Sequence, residues 1–221
     1  MGRKENKRDE FLSLVPIGTK KVLDVGCGIG DLGVKLKAND MEVVGVENNE
    51  YCYNLSKEKL NKTFLADIEK FQLPYSSKYF DCILYADILE HLLNPLNLLC
   101  KHKEYLNDTG FIVASIPNIR YYKVISRLVV GGTWDYMDIG ILDRTHVRFF
   151  TLINIQELFM KAGFEVVEIR RNIVAQRAMK ILNFICFNGL KEFLTYQYYI
   201  KAKKLNDGET HFVNKRKIYQ F

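Results

Sequence analysis

The chain has 221 residues, 48% hydrophobic and 13% aromatic, with a formal net charge of +6. That length and apolar share suit one domain with a sizeable core. They exclude a bitopic protein, because no segment reaches the ~18 uncharged apolar residues of a membrane span. The start, "MGRKENKRDE", is charged with no apolar run behind it, so no secretory signal is expected. Cys27, Cys52, Cys82, Cys100 and Cys186 are odd in number and widely spaced, with no C-x-x-C pair. This argues against a disulfide framework or a zinc site and for a reducing cytoplasm. Charge is uneven: residues 1–100 hold 13 Lys and Arg against 15 Asp and Glu, and residues 101–221 hold 19 against 11. An excess of that kind suits an anionic partner or a solubilising surface.

In chain order, "KVLDV" at 21–25 reads as a strand running into glycines, and "DLGVKLKAND" at 31–40 as a short helix. "EVVGVE" at 42–47 is a second strand ending in an acid, and "YCYNLSKEKL" at 51–60 a helix. "TFLAD" at 63–67 and "FDCILYAD" at 80–87 are further strands, followed by one long helical pattern at 88–106. "GFIVASIPN" at 110–118 is a fifth strand. Strand and helix in alternation predict a doubly wound parallel α/β sheet. The alternation breaks over the aromatic-rich residues 119–150. A helix capped by Thr151 follows at 151–164, then a strand at 165–171, a helical aromatic stretch at 173–194 and a last strand at 196–205. The polar, basic tail at 206–221 is expected to be poorly ordered.

The stretch "VLDVGCGIGDLG", 22–33, admits two loops. Gly28, Gly30 and Gly33 fit the G-x-G-x-x-G dinucleotide fingerprint. Gly26, Gly28 and Gly30, behind Asp24, fit another. A carboxylate under the loop repels a pyrophosphate and suits a cationic amine. Glu47 ends the second strand, where it can accept from a ribose diol. Asp67 ends the third, where it can accept from an adenine amino group. Three acids at three strand ends suit a nucleoside bearing positive charge and no phosphate.

With "VLDVGCGIG", "VVGVE", "LAD", "FDCILYADILEHL", "GFIVASIPN" and "DRTHVRFFT", the chain resembles the class I S-adenosylmethionine-dependent methyltransferases over about residues 15–170. The resemblance implies a Rossmann-like, seven-stranded, mostly parallel sheet with helices on both faces and an antiparallel last strand, for which 196–205 is the candidate. It also implies a single methyltransferase domain: a cofactor-binding core at 15–118, a substrate-covering insertion at 119–150, the rest of the sheet at 151–205 and the tail. Carried over, Gly26, Cys27 and Gly28 line the methionine part, Glu47 binds the ribose hydroxyls, and Asp67 and Ile68 flank the adenine, with Asp24 and Asn48 also expected to bind the cofactor. Tyr85 and Ala86 sit beside the cofactor.

"DILEHL" sets Asp87, Glu90 and His91 at i, i+3 and i+4, one face of a helix, and His146 arrives from "RTHVRFF". Three readings stay open: a metal such as Mg²⁺ held by Asp87, Glu90, His91 and His146; His146 or His91 as general base with Glu90 orienting it; or a supporting wall. The Glu-x-x-Glu-His pattern with a later His is similar to that of metal-binding methyltransferases acting on quinone precursors and small-RNA ends, but the first acid here is the shorter Asp87.

The insertion's Arg120, Tyr121, Tyr122, Trp134 and Arg144 suit sugars, phosphates or rings, or else form an aromatic mini-core. The segment is similar to ones in bacterial glycan methyltransferases, which implies O-methylation of a small-molecule, sugar or lipid-linked acceptor. The stretch 173–194 mixes basic and apolar residues and suits a peripheral membrane contact, a contact with a partner, or ordinary packing in the loop before the last strand. A nucleic-acid methyltransferase is the rival reading, less favoured because no Asn/Asp-Pro-Pro-Tyr motif is present. A non-catalytic cofactor-binding module is a third.

Overall fold

The computed structural model describes residues 8–205. The strands are β1 (Lys21–Val25), β2 (Glu42–Glu47), β3 (Lys62–Leu65), β4 (Phe80–Ala86), β5 (Leu106–Pro117), β6 (Phe164–Ile173) and β7 (Thr195–Lys204). The helices are α1 (Asp31–Lys37), α2 (Glu50–Ser56), α3 (Pro95–Lys103), α4 (Tyr122–Val129), α5 (Leu152–Lys161), α6 (Arg177–Ile185) and α7 (Lys191–Leu194). The strands form one sheet in the order β3-β2-β1-β4-β5-β7-β6. β1 to β5 pair in parallel, and β7 runs antiparallel between β5 and β6. The expected Rossmann-like sheet with an antiparallel last strand is therefore present. The expected tail, 206–221, lies outside the described residues.

Both faces of the sheet are buried, as a parallel sheet flanked by helices requires. Alternate residues divide between two cores: Leu23 and Val25 of β1 pack on one side with Ile83 and Tyr85, and Val22 packs on the other with Cys82 and Leu84. That alternation puts Tyr85 away from its neighbour Ala86. Tyr85 is fully buried, and its hydroxyl pairs with His102 Nδ1 of α3 at 2.6 Å. Burial holds the His102 imidazole down at about 3, so it is neutral. The Tyr85 side chain is thus part of the core and not a wall of the cofactor site. Tyr85→Phe is expected to cost about 1–3 kcal/mol of stability, the penalty of an unpaired buried polar group. It should leave cofactor affinity unchanged, as denaturant titration and calorimetry would show.

The long helix expected at 88–106 is two pieces. A single 3₁₀ turn covers Leu89–His91, Leu92 is extended, and α3 begins afresh at Pro95. Proline lacks the N–H that a continuing helix needs but is well placed at a first turn. Asn94 caps that turn by accepting from Asn97 N at 3.1 Å. The Glu69 carboxylate holds the break by accepting from the N–H groups of Leu93 (3.0 Å) and Asn94 (2.7 Å).

Candidate functional site

The C-terminal ends of β1, β2, β4 and β5 share one edge of the sheet, and β6 ends and β7 begins there. At this edge the chain from β1 turns through Gly26, Gly28 and Gly30, all left-handed. At Gly26 (φ 66°) any side chain is strained, and a Cβ there would meet Ile88 Cδ1 at 2.0 Å and displace it. Gly33 serves packing, since its Cβ would meet Leu60 Cδ2 at 2.3 Å. The loop glycines alone therefore do not distinguish the two cofactor readings.

The acids do. Asp24 is 1% exposed, and neither carboxylate oxygen has a hydrogen-bond partner among the described residues. Burial first, and the nearby Glu47 second, push its carboxyl up to about 7. An unpartnered buried carboxyl is costly unless a donor meets it. A cation approaching through the glycine turn is such a donor, and a pyrophosphate is not. Glu47 is also buried. One oxygen accepts from Gly28 N at 2.8 Å, and the other from Asn48 N (3.0 Å) and Asn49 N (2.8 Å). It thus ties the glycine turn to the end of β2. Asn48 itself is exposed. Glu47→Ala removes all three charge-assisted bonds. It is expected to weaken S-adenosylhomocysteine binding roughly 10- to 100-fold, read by calorimetry. Cys27 is buried, and burial with Asp24 behind it pushes the thiol up to about 12, so it is an unreactive wall.

A cavity of about 360 Å³ opens over this turn, lined by Gly26, Cys27, Gly28, Ala86, Ser115 and Tyr199 among others. Phe11 and Arg8, from a helical turn at 8–12, close it on one side. Asp67 and Ile68 lie outside that lining. Asp67 stands two residues beyond β3, exposed, paired with Lys70 at 2.9 Å and held below the usual carboxylate range by it. Ile68 is buried against the core.

Asp87 departs from the expected helical face. It adopts a left-handed conformation (φ 58°), and Ile88 follows at φ −123°, so no helix carries Asp87, Glu90 and His91 together. The Asp87 carboxylate accepts from Ser115 Oγ at 2.9 Å and from the Gln197 amide. Asp87, Ser115 and Gln197 all line the cavity. The sequence offers no signal for Gln197, which β7 delivers from 110 residues away.

Glu90, His91 and His146 do converge: one ligand atom from each lies within 4.8 Å of the others, without Asp87. The segment bearing His146 docks by its backbone, with Val147 N and Arg148 N both donating to the Glu90 carbonyl at 3.0 Å. The rings of His91 and His146 meet edge to face with centroids 4.6 Å apart. His91 Nδ1 donates to the Thr145 carbonyl (3.2 Å) and His146 Nδ1 to the Ile141 carbonyl (2.9 Å). A carbonyl only accepts, so in either ring Nδ1 is the donor and Nε2 is the nitrogen left to act as an acceptor. Glu90 is 1% exposed and both its carboxylate oxygens lack hydrogen-bond partners among the described residues. Burial, then Asp87, holds its carboxyl well above the usual range.

Most of the insertion's aromatics pack on one another. Tyr121, Val124, Ile141 and Leu142 form a small core with Trp134, Phe149 and Tyr196 around it. Arg120 lies over the Phe193 ring at 4.8 Å. A second cavity of about 570 Å³ is left between Tyr136, Arg144, His146, Val147 and Phe149.

A Cereibacter sphaeroides protein named ubiquinone biosynthesis O-methyltransferase is 26% identical over 160 residues, 70% of this chain and 64% of that one. The chain thus spans under two thirds of the length of that curated relative. A SAM-dependent methyltransferase of Archaeoglobus fulgidus superposes with a TM-score of 0.70 at 20% identity, covering 91% of this chain and 94% of that one. The [4+2]-cyclase SpnF superposes with a TM-score of 0.66 at 15% identity, covering 91% and 80%. The fold alone therefore does not name a reaction. The family described as methyltransferase domain matches residues 3–169, three quarters of the chain, and to that family this chain belongs.

Proposed function

We propose that the protein transfers a methyl group from S-adenosylmethionine to an oxygen of a small-molecule acceptor. The observation that carries this is Asp24, a buried carboxyl without a partner beneath a glycine turn, which fits an ammonium group. When bound, S-adenosylmethionine supplies an electrophilic methyl on a sulfonium. Asp24, Gly26, Cys27 and Gly28 would hold its methionine part, Glu47 and Asn48 its ribose, and Asp67 and Ile68 its adenine, with Ala86 beside it. The chain's further tasks are to align the acceptor oxygen and keep water away. His146 Nε2 takes the acceptor's hydroxyl proton, with the ring oriented by the bond from Nδ1 to the Ile141 carbonyl and Glu90 lining the site beside it. His91 completes the wall.

The acceptor's place is the cavity beside His146, where Tyr136 and Phe149 offer ring faces and Arg144 a cation. A ring-bearing hydroxyl compound fits it. The curated relatives' name points to a phenolic quinone precursor, and a sugar or lipid-linked acceptor remains the alternative. The five unpaired cysteines accord with work in the cytoplasm.

The unpartnered oxygens of Glu90 favour one second reading, a metal at Glu90, His91 and His146. Two imidazoles and one carboxylate do not fit Mg²⁺, which takes oxygen ligands, and suit a first-row transition ion.

The test is calorimetric titration with S-adenosylhomocysteine and, separately, NADH, followed by labelled methyl transfer to phenols, sugars, lipid-linked saccharides and RNA, with and without a chelator. Homocysteine-nucleoside binding with transfer to a small hydroxyl compound is the expected result. NADH binding instead, or transfer to RNA alone, overturns the reading. Loss of transfer on chelation, restored by Mn²⁺ or Zn²⁺, favours the metal over the free base.

A further inference from the structure

The segment between β6 and β7 is built inside out. Helix α6 buries only Asn183, whose side chain pairs with the Asn188 side chain at 3.0 Å and accepts from Leu190 N at 3.1 Å. Its apolar residues face outward: Ile181 is 53% exposed, Phe184 79%, Ile185 64%, and Phe187, on the turn after the helix, 96%. Phe187 and Asn188 are both left-handed (φ 50° and 64°), which makes that turn a protruding corner. An amphipathic helix ordinarily does the reverse and puts its apolar stripe on the core. Contiguous exposed apolar surface of this kind marks a contact site.

The charge around it selects the partner. Residues 169–191 contain Arg170, Arg171, Arg177, Lys180 and Lys191 and no Asp or Glu. Arg170 and Arg171 are taken up by Glu168 (2.7 Å) and Glu192 (2.9 Å), while Arg177 and Lys180 stand exposed on α6 itself. A symmetric pairing of two copies through this face would bring the same cations together. An anionic lipid surface meets both features: it receives the apolar side chains below its headgroups and the cations at them.

The position is consistent with that role. β6 ends and β7 begins at the sheet edge that carries the glycine turn, so α6 flanks the candidate site. Asn118, at the end of β5, donates its amide to the carbonyls of Glu192 and Thr195 (both 2.8 Å), and Tyr121 donates its hydroxyl to Val174 O (2.8 Å). The Tyr121 bond fastens the segment to the insertion that bears His146, and the Asn118 bonds fasten it to the chain just after β5.

We infer that α6 and the Phe187 corner form a docking surface for an anionic lipid bilayer, holding the open edge of the sheet toward the membrane. This stands whether the acceptor is a phenol or a sugar. The test is co-sedimentation of the full chain with vesicles of phosphatidylcholine alone or mixed with phosphatidylglycerol, at low and high salt. Binding to the mixed vesicles only, weakened by salt, is expected. Each cation near such a surface strengthens binding roughly fivefold, so Arg177→Glu with Lys180→Glu should lower partitioning by roughly 25-fold or more. Phe184→Ser with Phe187→Ser should lower it at least roughly tenfold. S-adenosylhomocysteine affinity, measured in parallel, should not change in either variant, which shows that the fold is intact. No binding of the unaltered chain to anionic vesicles, or variants that sediment like it, overturns the inference. So does a dimer in analytical ultracentrifugation that Phe187→Ser splits, because the face then belongs to a second copy.

Discussion

Asp24→Asn is expected to weaken S-adenosylhomocysteine binding by roughly a hundredfold while improving stability relative to the parent as pH rises. The first effect follows from removing one partner of a buried charge pair. The second follows from linkage. The carboxyl sits at about 7 in the folded chain, against 3.8 for an ordinary aspartate. The folded state therefore holds the proton more tightly than the unfolded state. Below pH 4 both states are protonated and the group contributes nothing. Between about pH 4 and 7 the unfolded chain is ionised and the folded chain is not, and stability falls with each pH unit. Above 7 the loss is complete, at up to about 4 kcal/mol. Asparagine does not titrate, so this slope should vanish in the variant. Denaturant midpoints across pH 4–8 would show it, and parallel curves for the two proteins would remove the assignment. The same proton competes with a ligand ammonium, so the parent's affinity should fall tenfold per pH unit below 7.

His146→Ala is expected to lower turnover by 10²- to 10³-fold, the usual contribution of a general base, with cofactor affinity within twofold of the parent. Its Nδ1–H is fixed on the Ile141 carbonyl, so what the variant loses toward the acceptor is the Nε2 lone pair. If a base is what is missing, the defect should shrink as pH rises and the acceptor hydroxyl ionises unaided. A defect constant across pH would make the ring a wall, and full activity would remove it from the mechanism. His91→Ala is the control: its ring is more exposed and should matter less.

The sheet was legible because its signals are local. Each of "KVLDV" and "EVVGVE" carries its own β-branched run and its own stop, and alternation with helices points to parallel pairing, whereas the strand order β3-β2-β1-β4-β5-β7-β6 was not legible. The dipeptide Asn94-Pro95 was also a local signal, a cap followed by a first-turn proline, and it outweighs the apolar periodicity that runs through 88–106. Asp87 could not be read this way. Its left-handed backbone is held by Ser115 and Gln197, two residues distant in the chain, and nothing in "DILEHL" encodes them. The convergence of Glu90 and His91 with His146 survived the loss of the helix because a 3₁₀ turn keeps neighbouring residues together. The insertion's aromatics were equally compatible with a sugar platform and a mini-core. Which one forms depends on whether they find each other, and Trp134 meets Phe149 at 5.4 Å.

β7, the last strand in the sequence, is an interior strand of the sheet. Until residues 195–204 are available, β5 and β6 have no common neighbour, and each presents a bare edge able to pair with another chain. Closure of the sheet therefore waits on contacts between the far end of the chain and its middle, a slow, non-local step. The same strand delivers Gln197 and Tyr199 to the cavity. A partly synthesised or C-terminally clipped chain can thus build the glycine turn and still lack one wall of the site. Competence for ligand is acquired at the end of folding, together with protection from aggregation.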